Sequence, residues 1–89
     1  MIRQTVMISN KLGLHARAAA KFVQLASSMA SEIKVQRAGR EVDGKSIMGM
    51  MMLAVGQGVA IEITAQGPDE ERALGELMRL VQARFGEEQ

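Results

Sequence analysis

Residues 32–43, EIKVQRAGREVD, decide which fold this sequence favours. Apolar Ile33 and Val35 alternate with charged or polar neighbours, which is the period of a strand with one buried face. A tight-turn signal follows at 38–39, and residues 40–43 then predict a returning strand. We therefore expect a β-hairpin in the middle of the chain.

On its N-terminal side, the hairpin is preceded by a predicted strand and a predicted helix. Residues 2–8 alternate apolar with polar side chains and predict another half-buried strand, and residues 10–13 read as a loop. Between 16 and 29, alanines and other apolar residues recur at helical spacing. A face of such small side chains allows the predicted helix to pack closely on a sheet.

On the C-terminal side, two more helices flank one more strand. Ser46 precedes residues 47–54 and is a suitable N-cap for a short helix there. Residues 59–65 alternate as a strand does. Pro68 and the acids after it favour the start of a last helix, whose apolar stripe runs to Phe85 and which should end at Gly86.

These elements predict the order strand, helix, two strands, helix, strand, helix. Because every strand has one apolar face, the sheet should be antiparallel or mixed, with helices on one side and solvent on the other. We expect residues 1–89 to form a single domain of the α/β (α+β) class, an open-faced sandwich.

The composition narrows the class of function. With 47% apolar and 24% charged residues the chain should form a packed core, and its net charge of +1 disfavours binding to nucleic acid or to an anionic membrane. The absence of cysteine excludes disulfides and thiolate metal sites. With no signal peptide and no run of ~18 apolar residues, we expect a cytoplasmic protein that does not insert into a membrane.

The only histidine, His15, lies in the stretch Asn10-Lys11-Leu12-Gly13-Leu14-His15-Ala16-Arg17. It should lie at the N-terminus of the predicted first helix, where unpaired N–H groups and Arg17 favour an anion. An imidazole is largely neutral near pH 7 and is then a nucleophile. We therefore predict a phosphoryl carrier, although a lone histidine is equally typical of an ordinary exposed polar side chain.

The same stretch resembles the active-centre motif of the HPr family, the histidine-containing phosphocarriers of the bacterial phosphoenolpyruvate-dependent phosphotransferase system (PTS). Residues 45–49, KSIMG, resemble the regulatory-serine segment of that family. Residues 67–71, GPDEE, and the closing helix are also similar to it. Length and order of elements agree over nearly the whole chain.

The resemblance implies that His15 accepts a phosphoryl group on Nδ1 from Enzyme I, which phosphoenolpyruvate charges, and passes it to an EIIA-type domain. Arg17 would contact the phosphate. The resemblance further implies a four-stranded antiparallel sheet covered on one face by three helices, no metal and no cofactor. The chain would be a monomer, and a substrate of enzymes more than an enzyme itself.

Regulation and partner docking are also implied. Ser46 would be phosphorylated by HPr kinase/phosphorylase, and the added charge would repel partners that carry phosphate; as a plain helix cap the serine needs no such role. Of the four methionines in the second helix, about half should be core and at least one exposed. The expected docking residues are Ala20, Phe22, Ile47, Met48 and Met51.

One residue departs from the family motif: Ala18 stands where proline commonly follows the arginine. Alanine is a good helix former, so we expect the fold to persist and only the tuning of transfer to differ. Two alternatives stay open. The output could be regulatory, as in the nitrogen-related PTS branch, or the chain could be a small α/β nucleic-acid or ligand-binding module.

Overall fold

A computed structural model describes the whole chain, residues 1–89. Its strands and helices are β1 (Ile2–Met7), α1 (Ala16–Ser27), β2 (Glu32–Arg37), β3 (Arg40–Asp43), α2 (Ile47–Met52), β4 (Ala60–Gln66) and α3 (Glu70–Gln82). A short 3-10 turn, Arg84–Gly86, follows α3. The predicted β-α-β-β-α-β-α order is confirmed.

The four strands form one antiparallel sheet in the order β1-β4-β2-β3. The hairpin pairs Val35 with Val42, and Val35 also lies opposite Ile63 of β4. On the other side of β4, Val6 of β1 lies opposite Ile61. The sequence had left a mixed sheet possible, and every pairing in the structure is antiparallel.

The core lies between one face of this sheet and the three helices, and 22 buried side chains form a single cluster there. The strands contribute Ile33, Val35, Ile61 and Ile63, each at most 1% exposed. Each fully buried aliphatic side chain of this size contributes roughly 1.5–3 kcal/mol to folding. The residues between them point to the uncovered face of the sheet and are polar, so the open-faced sandwich is confirmed.

All three helices end earlier than the sequence predicted. The first, expected to reach residue 29, ends at Ser27, where the hydroxyl of Ser28 donates to the Leu25 carbonyl oxygen (2.6 Å). The second ends at Met52 instead of residue 54, because Ala54 has a left-handed backbone (φ 52°). The last ends at Gln82, before the turn that contains Phe85.

The prediction that about half of the methionines in α2 are core was wrong. Only Met50 is buried, whereas Met48, Met51 and Met52 are 73%, 44% and 58% exposed. The reason is the length of the helix, since six residues present only one narrow side to α1 and β3. The prediction that at least one methionine is exposed is confirmed.

No helix of the structure combines the length and the apolar character that crossing a membrane requires.

Candidate functional site

The loop before α1 is held in one conformation by its own backbone and by Asn10. Gly13 has a left-handed backbone (φ 66°), and its N–H donates to the Asn10 carbonyl oxygen (3.1 Å). The buried Asn10 amide donates in return to the Gly13 carbonyl oxygen (2.7 Å). Leu14 N–H donates to the carbonyl oxygen of Val55, after α2 (2.9 Å). These bonds determine where the next residue, His15, begins the helix.

His15 is the N-cap residue of α1, as predicted from the sequence. Its backbone is extended, and its carbonyl oxygen accepts the first helical hydrogen bond, from Ala19 (2.8 Å). The side chain does not cap the helix and is 27% exposed. The N–H groups of residues 16–18 precede that first bond, so they give the surroundings of the ring a partial positive charge.

A carboxylate that the sequence did not reveal contacts the ring. Glu87 Oε2 is hydrogen-bonded to Nε2 of His15, and Glu87 Oε1 accepts a hydrogen bond from the Asn10 amide (3.0 Å). The hydrogen bond with His15 is the main cause that lowers the pKa of Glu87 from its ordinary 4.5, so the carboxylate is ionised at neutral pH. An ionised carboxylate only accepts, and Nε2 is therefore the donor.

Glu87 reaches the ring because the chain reverses after α3. Arg84, Phe85 and Gly86 all have left-handed backbones, with φ of 57°, 55° and 81°. Phe85 is fully buried, and its carbonyl oxygen accepts a hydrogen bond from Lys21 Nζ (2.6 Å). The buried aromatic ring and this bond to α1 anchor the turn, so the tail lies against the start of α1.

His15 and Arg17 border the same open cavity, which has a volume of about 630 Å³. Both Lys11 and Arg17 are exposed at its wall, and Leu12, Ala16, Glu87 and Gln89 complete the lining. Two cations and the first turn of a helix make this cavity suited to an anion such as phosphate. His15 and Arg17 therefore border one cavity that an anion can enter.

Ala18 is fully buried in the first turn of α1. Its N–H precedes the first intrahelical hydrogen bond, so a proline here would remove no helical bond. Alanine thus leaves the helix start intact, as expected from the sequence.

Ser46 caps α2, and this structural role is confirmed. Its hydroxyl oxygen accepts a hydrogen bond from the Gly49 N–H (3.0 Å). The neighbouring Lys45 turns away and donates through Nζ to the Met29 carbonyl oxygen (2.9 Å), near the end of α1. The cap accounts for the serine without any further function.

Of the five predicted docking residues, one is inaccessible to a partner and four are at least partly exposed. Phe22 is fully buried, so its assignment to a docking surface was wrong; the ring belongs to the hydrophobic core because it lies on the apolar side of α1. Ala20 is half-buried. Ile47, Met48 and Met51 are 45%, 73% and 44% exposed. Leu12, on the cavity wall, is 68% exposed and was not predicted.

The buried aromatic rings also bear on the alternative of an RNA-binding module. Phe22 and Phe85 are the only aromatic residues of the chain, and both are fully buried. RNA-binding sheets stack bases on exposed aromatic side chains. The uncovered sheet face of this protein presents polar and aliphatic groups instead.

Comparison with known proteins identifies a family. The family model described as "PTS HPr component phosphorylation site" matches residues 2–83. The phosphocarrier protein HPr of Cupriavidus necator is 52% identical over 87 residues, which cover 98% of each chain.

Solved structures agree in fold as well as in sequence. HPr-C-His from Thermoanaerobacter tengcongensis superposes with a TM-score of 0.96 at 48% identity, over 100% of both chains. A structure described as an HPr dimer from the same organism matches with a TM-score of 0.79 at 48% identity, over 98% of this chain and 100% of that one.

Proposed function

The chain belongs to the HPr family of PTS phosphocarrier proteins, and we propose that His15 accepts a phosphoryl group from phospho-Enzyme I and passes it to an EIIA-type domain. Phosphoenolpyruvate is the ultimate donor. The protein is then a carrier that enzymes phosphorylate and dephosphorylate, and the machinery of each transfer lies largely on its partners.

The observation that carries this proposal is the pairing of a partly exposed imidazole with a cavity suited to an anion. Because Nε2 donates to Glu87, the lone pair of a neutral ring is on Nδ1. This supports Nδ1 as the nitrogen that attacks phosphorus. Arg17 and the first-turn N–H groups would stabilise the phosphate once it is bound. The reaction then depends mainly on positioning and on charge stabilisation.

Labelling with phosphoenolpyruvate and Enzyme I tests the carrier role. The wild-type chain should acquire an acid-labile phosphoryl group, and His15→Ala should acquire none, because the chain has no second histidine. Arg17→Ala, matched by Arg79→Ala on the exposed side of α3, tests the proposed phosphate contact. Arg17→Ala should slow phosphorylation of the protein, and Arg79→Ala should not. Label on His15→Ala would contradict the carrier role.

Ala20, Ile47, Met48 and Met51 are the proposed docking residues for both partners. They lie on α1 and α2, which pack against each other, and flexible methionine side chains adapt to more than one surface. Chemical-shift mapping of the methyl groups with an EIIA domain checks this. Signals of Met48 and Met51 should move while that of buried Met50 stays, and unmoved α2 signals would exclude the helix from the interface.

Ser46 is the proposed regulatory site, modified by HPr kinase/phosphorylase. Its phosphate would add a charge near −2 beside the docking residues and so repel a partner that brings phosphate of its own. Ser46→Asp should bind Enzyme I more weakly than Ser46→Asn, which has a side chain of the same size and no charge. Equal affinities of the two variants would exclude electrostatic interference.

Transfer assays also identify the PTS branch. Purified Enzyme I of the sugar branch and of the nitrogen-related branch should be compared as donors, since the chain itself does not distinguish them.

We propose a monomeric, cytoplasmic carrier. Sedimentation should give the mass of one chain, 9.6 kDa, and a dimer like that described for the Thermoanaerobacter relative would contradict this.

A further inference from the structure

We propose that Glu87 is a positioning residue for phosphoryl transfer: its carboxylate holds the Nε2–H of His15, directs the lone pair to Nδ1, and stabilises the ring as the nitrogen–phosphorus bond forms. This inference rests on the proposed carrier function and adds a residue to it. None of the sequence motifs includes Glu87.

The Glu87 carboxylate is held at both of its oxygens. Each oxygen of Glu87 has one partner, Nε2 of His15 for Oε2 and the Asn10 amide for Oε1. Asn10 is fully buried and is itself tied to Gly13. The carboxylate is thus oriented from behind by a buried amide, in the way that supporting groups orient the histidines of other active sites.

Positive charge develops on the His15 ring during transfer. As the Nδ1 lone pair forms the bond to phosphorus, the bond from phosphorus to the donor breaks, and its electron pair leaves with the donor. The proton stays on Nε2, so the His15 ring gains positive charge. A carboxylate on Nε2–H interacts more strongly with that ring than with the neutral one, and such differential binding increases the rate.

Cationic side chains lie near the carboxylate. Lys11 and Arg17 border the same cavity, and Lys21, on α1, also lowers the pKa of Glu87. Lys21 thus favours the ionised form of Glu87, and Lys11 and Arg17 offset the repulsion between Glu87 and an incoming phosphate. Because Glu87 contacts Nε2, the Nδ1 side of the ring stays available to the phosphoryl donor.

Steady-state phosphorylation by Enzyme I tests the effect on transfer. Glu87→Gln keeps the size of the side chain and removes its charge, and we expect kcat to fall on the order of tenfold with KM nearly unchanged. The matched control is Glu88→Gln, which removes the same charge from the next, exposed residue. Equal kcat values for the two variants would overturn the proposal.

A spectroscopic measurement tests the same role without any partner. The ¹⁵N resonances of the single imidazole report which nitrogen carries the proton in the neutral ring. Wild type and Glu88→Gln should show the proton on Nε2, and Glu87→Ala should show a mixture of both tautomers. An unchanged ring in Glu87→Ala would overturn the proposal. If His15→Ala is still labelled, the carrier function fails instead, and the two failures are distinguishable.

Discussion

At the residue scale, the imidazole of His15 lies between groups of opposite charge. The first-turn N–H groups of α1 and the Arg17 guanidinium supply positive charge near the ring, and the Glu87 carboxylate supplies negative charge at Nε2. A carrier uses both, because the incoming phosphate is an anion and the ring gains positive charge as the nitrogen–phosphorus bond forms.

The buried ring of Phe22 should contribute to the stability of the fold and not to docking. Because the ring is fully buried, Phe22→Ala should lower the free energy of unfolding by about 3–5 kcal/mol, measured by chemical denaturation. Phe22→Leu, which keeps most of the volume, should cost much less. Binding of an EIIA domain to the folded fraction should be the same for both variants. Weaker binding by fully folded Phe22→Ala would return this residue to the docking surface.

At the element scale, the start of α2 depends on one hydroxyl. Ser46→Ala removes the acceptor of the Gly49 N–H and should destabilise the protein by about 1 kcal/mol in a denaturant titration. Ser46→Asp keeps a capping oxygen, so its stability should stay close to that of wild type. A neutral Ser46→Ala substitution would mean that the cap does not contribute to folding.

The loop between β1 and α1 leaves no room for a side chain at Gly13. A Cβ on Gly13 would lie 2.5 Å from the Val55 carbonyl oxygen, and the residue has φ 66°. Gly13→Ala should therefore destabilise by clearly more than the ~1–2 kcal/mol that a left-handed alanine costs on its own. Gly39, with φ 80° and no atom within 4 Å of its Cβ position, is the matched control. Equal losses for the two variants would show that the loop yields to the clash.

At the scale of the whole molecule, Asp69 joins the start of β2 to the start of α3. Its carboxylate accepts from the N–H groups of Ala30 and Ser31 (both 2.9 Å) and from the Ser31 hydroxyl. The hydroxyl is the largest cause that lowers the pKa of Asp69 from 3.8 to about 2. A lowered pKa stabilises the fold fully above 3.8, and that contribution disappears as the pH falls through about 2.

Asp69→Asn should consequently lower the thermal midpoint at pH 7 and reduce its fall between pH 4 and pH 2. The control is Glu71→Gln, which neutralises an exposed carboxylate two residues further along the chain. This control should leave both the midpoint and its pH dependence nearly unchanged. The measurement is calorimetry of the three proteins across that pH range. If Asp69→Asn follows the wild-type curve, the carboxylate does not link the two elements.

Local patterns predicted the individual strands, the order of the helices and the position of His15, because each depends on residues close together in sequence. The hairpin at 32–43 and the cap at Ser46 are examples. The contact of Glu87 with His15 could not be predicted, since it spans 72 positions. It depends on a turn in which Arg84 and Phe85, neither of them glycine, have left-handed backbones. The burial of Phe22 was missed for a related reason, since packing decides which side of α1 is buried.

The reversal of the chain after α3 has a practical consequence for attaching the protein to anything else. A tether grafted beyond residue 89 would emerge beside the imidazole and crowd the phosphate pocket. The amino group of Met1 instead pairs with Glu70 (3.1 Å), at the far end of a 13-residue helix roughly 20 Å long. Affinity tags, fluorophores and immobilising surfaces should therefore be attached at the amino end, where they leave access to the His15 cavity open.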